Sequence, residues 1–372
     1  MPQPRRRPPG GTDVARLAGV SQKTVSRVMN GEPYVSEQVR ERVLAAAREL
    51  GYRRNTAARA LHLGRFHRIG VAALGSSLYG PSSLLVALER EAREIGYALA
   101  VVNTLEGEGD AVMNAVESLL GQGVDAIVVS EPIDEGRALR VDPDVPVLSF
   151  GRLPGLDGPR VVVAGASGVE AGRRATEHLL GLGHATVWHV AGPRRWWAAR
   201  DRARGWREAL AAAGAAEPPP LEGDWSPASG YAAGRVLAAD PEVTAVFVAN
   251  DDMAVGVLRA LAEAGRAVPG DVSVVGMDDI PPAAYLSPPL TTIRQDFAAV
   301  ARHGLALLVD EIERATSPDA RLGRSPGPDA RPSPDAGSGS ERLPRSRAHP
   351  DPLPARLVVR ESTAPPREPG GH

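Results

Sequence analysis

The 372-residue sequence has no cysteine, which excludes disulfides and thiolate metal sites and fits a reducing compartment. Nor does it contain an apolar run near the ~20 residues a membrane-spanning helix needs, so no membrane partner is expected. The opening MPQPRRRPPGG is basic but lacks an apolar core, so a secretory leader is not expected and the cytoplasm is. There is no Gly-x-Gly-x-x-Gly after a strand and no Gly-Lys-Ser/Thr phosphate loop. Nucleotide-dependent chemistry is therefore unsupported, and no catalytic residues, cofactor or metal are expected. Lysine is almost absent: Lys23 is the sole lysine among 43 basic residues, a bias that points to a GC-rich genome rather than to function.

The hydrophobic content of 43% is that of a globular chain long enough for more than one core. The net charge of −2 hides an asymmetry: residues 1–68 carry 14 basic and 5 acidic side chains, the remainder 29 and 40. A basic head on an acidic body is the balance of a DNA-binding domain joined to a sensor.

Within the head, Asp13 is expected to cap a short helix that buries Val14, Ala15, Leu17 and Ala18. Gly19 can take the left-handed turn, and Ser21 caps a second helix, Gln22 to Asn30, ended by Gly31. Val25 and Val28 face inward, leaving Gln22, Lys23, Thr24, Ser26 and Arg27 outside. Small polar and basic groups at a helix's N-terminal end suit the major groove, where Arg pairs with guanine and Gln with adenine. Ser36 caps a third helix, Glu37 to Leu50, whose Val39, Val43, Ala47 and Leu50 close the core.

From Arg68 the pattern alternates. RIGVAAL, YALAVVN, DAIVVS and VPVLSF read as buried parallel strands, with helices near 82–95 and 109–122. A second series follows, with ATVWHVAG, TAVFVAN and DVSVVGM as strands and helices near 168–182, 199–213, 227–239 and 252–264. Two βαβ series predict an α/β body of two doubly wound subdomains facing across a cleft. Ligands of such folds sit at strand ends in that cleft. Asn250 and Asp251 follow one strand and Asp278 and Asp279 another; Arg202 opens a helix and Trp225 sits in GDWS. Guanidinium, amide and carboxylate groups bond sugar hydroxyls, and an indole covers the apolar face of a sugar ring. Asn250 and Asp251 are equally readable as caps of the following helix. Residues 317–354 hold 9 prolines and the repeated PDA at 318, 328 and 334, and read as a disordered insertion.

The segments AGVSxxTVSRVxNG and VSxxxRxRVxxAxxELGY resemble the LacI/GalR family of transcriptional repressors, and the likeness extends over nearly the whole chain. It implies a three-helix helix-turn-helix head (1–54), a hinge helix and linker (55–67), and a periplasmic-binding-protein-like body (68–316). After the insertion (317–354) a final strand and tail follow (355–372). The resemblance places Gln22, Lys23 and Arg27 on base edges and Thr24, Ser26 and Asn30 near phosphates. It makes Asn55 to Leu61 a minor-groove helix, with Asn55 at its start, Ala58 and Arg59 near the groove floor and Leu61 as an intercalating wedge.

SSLYGPSS, ARxRARGW, GDWSxxSGY, ANDxMAxG and YxxPPLTTIRQDF are similar to the sugar-responsive branch. That similarity implies that Arg202, Asn250 and Asp278 bind sugar hydroxyls, that Trp225 stacks on the ring, and that Leu78 and Phe297 line an apolar wall. Gly151 stands where that branch has an acidic ligand residue, and Ala166 where it has an aromatic one. Ser167 stands where other members have aspartate. Trp196 and Trp197 read either as a separate aromatic rim or as a dimer or core contact. No leucine heptad follows Pro366, so a homodimer is expected.

The resulting expectation is a repressor that binds pseudo-palindromic double-stranded operator DNA and is controlled by a small sugar. A transport-type sugar-binding protein is the alternative from the body alone; it leaves the head unexplained. A corepressor-dependent or activating regulator keeps the head and reverses the sign. A hydrolase with paired carboxylates is disfavoured, because the adjacent Asp278 and Asp279 do not oppose each other across a substrate.

Overall fold

Two units make up the chain, Met1–Phe66 and His67–His372. The computed structural model describes residues 9–29, 32–52, 65–75, 77–104, 110–130, 133–134, 139, 141–142, 144–153, 155–156, 158–316 and 353–367. Asn30, Gly31, Arg54, Asn55, Ala58, Arg59 and Leu61 lie outside the described residues, as does the proline-rich stretch as far as 352.

In the first unit α1 (Gly11–Ala18), α2 (Gln22–Met29) and α3 (Glu37–Glu49) enclose a core of Val14, Ala15, Ala18, Val25, Val28, Val43, Ala46 and Ala47. Gly19 takes the left-handed conformation at the end of α1. Two details correct the sequence reading. Asp13 is the third residue of α1 rather than its cap; its carboxylate reaches back to accept from Gly10 N at 2.9 Å, which stabilises the start from inside the helix. Leu17, expected in the core, is 46% exposed, because the buried stripe runs through Val14, Ala15 and Ala18. Ser21 caps α2 as expected, accepting from Thr24 N at 3.1 Å. Ser36 precedes α3 but makes no side-chain cap bond.

The second unit contains two sheets. The first has the parallel order β2 (Ala98–Thr104), β1 (Arg68–Leu74), β3 (Ala126–Val129), β4 (Val147–Phe150), β5 (Val161–Ala164). One face packs α4 (Tyr79–Glu94) through Leu84 and Leu88, and the other packs α5 (Ala111–Gly121) through Val116 and Leu119. Burial on both faces is why β1, β3 and β4 read as near-continuous apolar runs. β2 departs from that expectation: it is the edge strand, partly exposed along its length, with Val101 43% exposed.

The second sheet has the order β11 (Arg356–Val358), β10 (Thr291–Arg294), β9 (Ser273–Asp278), β8 (Ala245–Val248), β6 (Trp188–Ala191), β7 (Leu221–Glu222). β11 alone runs antiparallel within it. Helices α6 (Gly168–Gly181) and α7 (Trp197–Ala213) cover one face, and α8 (Pro227–Ala238) and α9 (Asp251–Glu263) the other. α6 and α7 touch backbone to backbone: a Cβ on Gly205 would lie 1.9 Å from Val169 O, and one on Gly172 would lie 2.2 Å from Arg202 O. This contact seats the first turns of α7, which carry Arg202. Beneath it, Trp206 is fully buried and donates from Nε1 to Val187 O at 2.8 Å. His189 stacks on Phe247 at 4.8 Å, and burial pushes its pKa down to about 4, so it is a neutral core residue.

The chain passes between the two sheets three times. β5 leads into α6; β10 leads into α10 (Phe297–Thr316), which packs Val300, Leu305 and Leu308 onto the first sheet; and Leu353 bridges to Ala166 before β11. The last helix thus belongs with the first sheet although the strand before it lies in the second. Among the described residues no helix is long and apolar enough to cross a membrane.

Candidate functional site

A cavity of about 950 Å³, including its solvent-open part, lies between the two sheets of the second unit. All six residues named from sequence, Leu78, Arg202, Trp225, Asn250, Asp278 and Phe297, line it. Each arrives from a different element. Leu78 precedes α4 and Phe297 starts α10, so the first-sheet side supplies an apolar wall. Arg202 lies in α7, Asn250 caps α9, Asp278 ends β9, and Trp225 precedes α8.

The polar groups converge. Arg202 donates from Nη1 to Ala249 O at 2.5 Å, and its Nη2 lies 3.9 Å from Asp278 Oδ1, an ion pair too long for a hydrogen bond. Its guanidinium also sits 5.3 Å from the centre of the Trp225 ring. Gln295 donates to Asp278 Oδ1 at 2.8 Å. Burial pushes Asp278 up to about 6, against the lowering pull of the Arg202 charge and the Gln295 hydrogen bond. Arg202 Nε and Trp225 Nε1 are buried donors with no acceptor among the described residues. Such donors in a cavity wall are what a hydroxylated ligand satisfies.

The indole is locked in place. Trp225 and Asp278 both hold positive φ, 73° and 110°, where non-glycine backbones are strained. A Cβ on Gly192 would strike the Trp225 ring at 2.2 Å, so the loop after β6 must be glycine for the ring to lie there. Trp196 meets Trp225 edge-on at 5.4 Å and is 3% exposed. Trp196 and Trp197 thus line the same cavity rather than forming a separate rim.

The two readings of Asn250 merge. Its Oδ1 accepts from Met253 N at 3.0 Å and caps α9, its Nδ2 donates to Trp225 O at 3.0 Å, and it still borders the cavity. Asp251 turns the other way, fully buried, accepting from Thr292 Oγ1 at 2.7 Å and Ile280 N at 2.9 Å. Burial, then repulsion from Asp278, pushes it up to about 8. Asp279 also leaves the cavity, pairing with Arg294 at 2.5 Å and Arg360 at 2.6 Å.

Sequence reasoning missed Gln295 and Asp201 as lining residues. Gln295 lies in a segment crossing between the sheets, where strand periodicity gives no signal. Gly151 and Ala166 line the cavity with almost no side chain, while Ser167 caps α6 by accepting from Glu170 N at 3.0 Å. Among the described residues no group of His, Asp and Glu is placed to hold a metal ion.

In the first unit Gln22, Lys23, Ser26 and Arg27 are exposed on α2, opposite Val25 and Val28. Thr24 is half-buried, its Oγ1 2.8 Å from Ser21 Oγ. Arg27 Nε lies 3.5 Å from Glu32 Oε2, a half-exposed pair of small energetic weight that a phosphate or base can displace.

Residues 12–55 match the family described as bacterial regulatory proteins, lacI family, and residues 176–333 match the periplasmic binding protein-like domain. The chain is 38% identical to the lactose operon repressor of Escherichia coli (strain K12) over 290 residues, 77% of this chain and 79% of that one. Among solved structures, the lac repressor dimer bound to operator and the anti-inducer ONPF superposes with a TM-score of 0.77 at 31% identity, covering 96% of this chain and all of the other. A complex of the transcriptional regulator CelR with cellobiose gives 0.63 at 31% identity, over 95% of this chain and 99% of the other.

Proposed function

This chain belongs to the lacI family of bacterial regulatory proteins, and we propose that it represses transcription as a homodimer whose operator affinity is set by a sugar in the cavity. It is a DNA-binding regulator of transcription and not an enzyme. The observation that carries the sugar reading is the convergence of Arg202, Asp278, Gln295 and Asn250 beside the locked Trp225 indole. Two unsatisfied donors and a carboxylate take vicinal hydroxyls, while the indole and the Leu78–Phe297 wall take the C–H face.

The head reads the operator. Gln22, Lys23 and Arg27 contact bases, Thr24, Ser26 and Asn30 contact phosphates, and Asn55, Ala58, Arg59 and Leu61 engage the minor groove. Two such heads fit a pseudo-palindrome, whose symmetry mirrors that of a dimer. The sugar is the inducer: it favours the body conformation that is incompatible with operator, and operator weakens the sugar by the same factor.

Selection from a random duplex pool by the full-length protein, followed by release with a panel of saccharides, tests this. A palindromic consensus released by at least one saccharide is expected. A pool without a consensus overturns the operator reading. A consensus that saccharides only tighten reverses the sign to corepression.

A further inference from the structure

The first turns of α7 carry a second pair of cavity-lining side chains that the cluster around Arg202 does not use. Ala198 and Arg202 form one stripe along the cavity; Trp197 and Asp201, also one turn apart, form the stripe beside it. Asp201 is partly buried, its carboxylate makes no hydrogen bond or ion pair with any described residue, and burial raises its pKa against the charges of Arg204, Arg202 and Arg152. A partly buried carboxylate with no side-chain hydrogen-bond partner is free to accept hydroxyl donors from a ligand in the cavity. Gly168 makes space for it: a Cβ there would stand 2.9 Å from Asp201 Cβ.

Trp197 supplies the complementary group. Its Nε1 is buried with no acceptor among the described residues. The ring is held rigid, with the Arg200 guanidinium 4.3 Å from its centre. Arg200 in turn pairs with Asp134, of the first-sheet subdomain, at 2.9 Å, and Asp134 N donates to Arg195 O at 2.7 Å. The first-sheet side of the cavity includes Gly151, Gly165 and Ala166, none reaching beyond Cβ, so that wall leaves open room.

We propose that Trp197 and Asp201 form a second saccharide subsite, and that the effector is therefore a saccharide of at least two rings. One ring lies on Trp225 and bonds Arg202 and Asp278. The next accepts from Trp197 Nε1 and donates a hydroxyl to the Asp201 carboxylate. This rests on the reading of the cavity as a sugar site.

Calorimetry on the full-length protein with matched pairs separates the two claims: lactose with methyl β-galactoside, cellobiose with methyl β-glucoside, and maltose with methyl α-glucoside. At least one disaccharide is expected to bind about tenfold or more tighter than its paired methyl glycoside, the gain of an aromatic contact and a charged hydrogen bond. Asp201→Asn and Trp197→Leu are expected to weaken that disaccharide at least about fivefold more than the methyl glycoside, whereas Arg202→Ala weakens both. Equal affinities within every pair, or variants that weaken both members alike, overturn the second subsite alone. If no saccharide binds the wild type, the cavity reading fails and the subsite with it. Asp201→Asn preserves side-chain shape and carries the test if Trp197→Leu does not fold.

Discussion

Asp278 makes effector binding depend on pH in a direction that can be worked out in advance. Its carboxylate accepts from Gln295 and faces Arg202 across 3.9 Å, yet burial still pushes it up to about 6. Sugar hydroxyls donate best to the ionised form, so binding sugar releases a proton from the fraction that is protonated. The ionised fraction is about 0.9 near pH 7 and about 0.1 near pH 5, so affinity is expected to fall about tenfold across that interval. Titration calorimetry at a series of pH values reads this directly. Near pH 6, repeating it in buffers of different ionisation enthalpy should show about half a proton released per sugar. Asp278→Asn should bind more weakly and lose the pH dependence. Asp201, whose pKa burial also raises, is controlled by running Asp201→Asn in parallel. Wild-type affinity that is unchanged down to about pH 5, or an undiminished pH dependence in Asp278→Asn, would refute the assignment of the carboxylate to the ligand.

Asp251, pushed up to about 8 from an unfolded value near 3.8, holds its proton more tightly folded than unfolded, so its contribution to stability falls as pH rises between those values. Urea unfolding from about pH 5 to about pH 8 should show Asp251→Asn losing a downward slope of at most about 1.4 kcal/mol per pH unit relative to wild type; parallel profiles would contradict this. Gly205→Ala forces a Cβ against Val169 O and should destabilise the second unit by about 1–3 kcal/mol, measured as a lower urea midpoint. Gly192→Ala pushes the Trp225 ring off its wall and should weaken sugar binding while operator binding persists. Arg27→Ala should cost about 1–3 kcal/mol on the selected operator and relax preference at one base position, with a much smaller effect on random DNA.

The elements most legible in the sequence were those whose residues answer to a single environment. β1, β3 and β4 are buried on both faces and so apolar throughout, and the head's helices carry caps and a clear inward stripe. β2 was recognisable as a strand but not as an edge, because its apolar run does not record which neighbour is missing. β5, β7 and β10 escaped for local reasons: β5 follows a Gly- and Pro-rich stretch, β7 has two residues, and β10 opens with threonines that are buried by bonds to Ser362 Oγ and Asp251. In the site, Arg202, Asn250 and Asp278 were legible because helix starts and strand ends point into the cleft of such a fold. The opposed destinations of Asp278 and Asp279 follow from alternation at a strand end. Gln295 and Asp201 depend on how a crossing segment and a helix are rotated, which composition does not encode.

Coupling between the head and the cavity is read out by fluorescence anisotropy of the selected operator duplex. Titrated with the full-length protein with and without the tightest-binding saccharide, the wild type should lose about tenfold or more in operator affinity, within the ~1–3 kcal/mol typical of allosteric coupling. Arg202→Ala should bind operator as the wild type does without sugar and show no loss when sugar is added. A saccharide that binds the wild type yet leaves its operator affinity unchanged would show that the head and the cavity are not coupled.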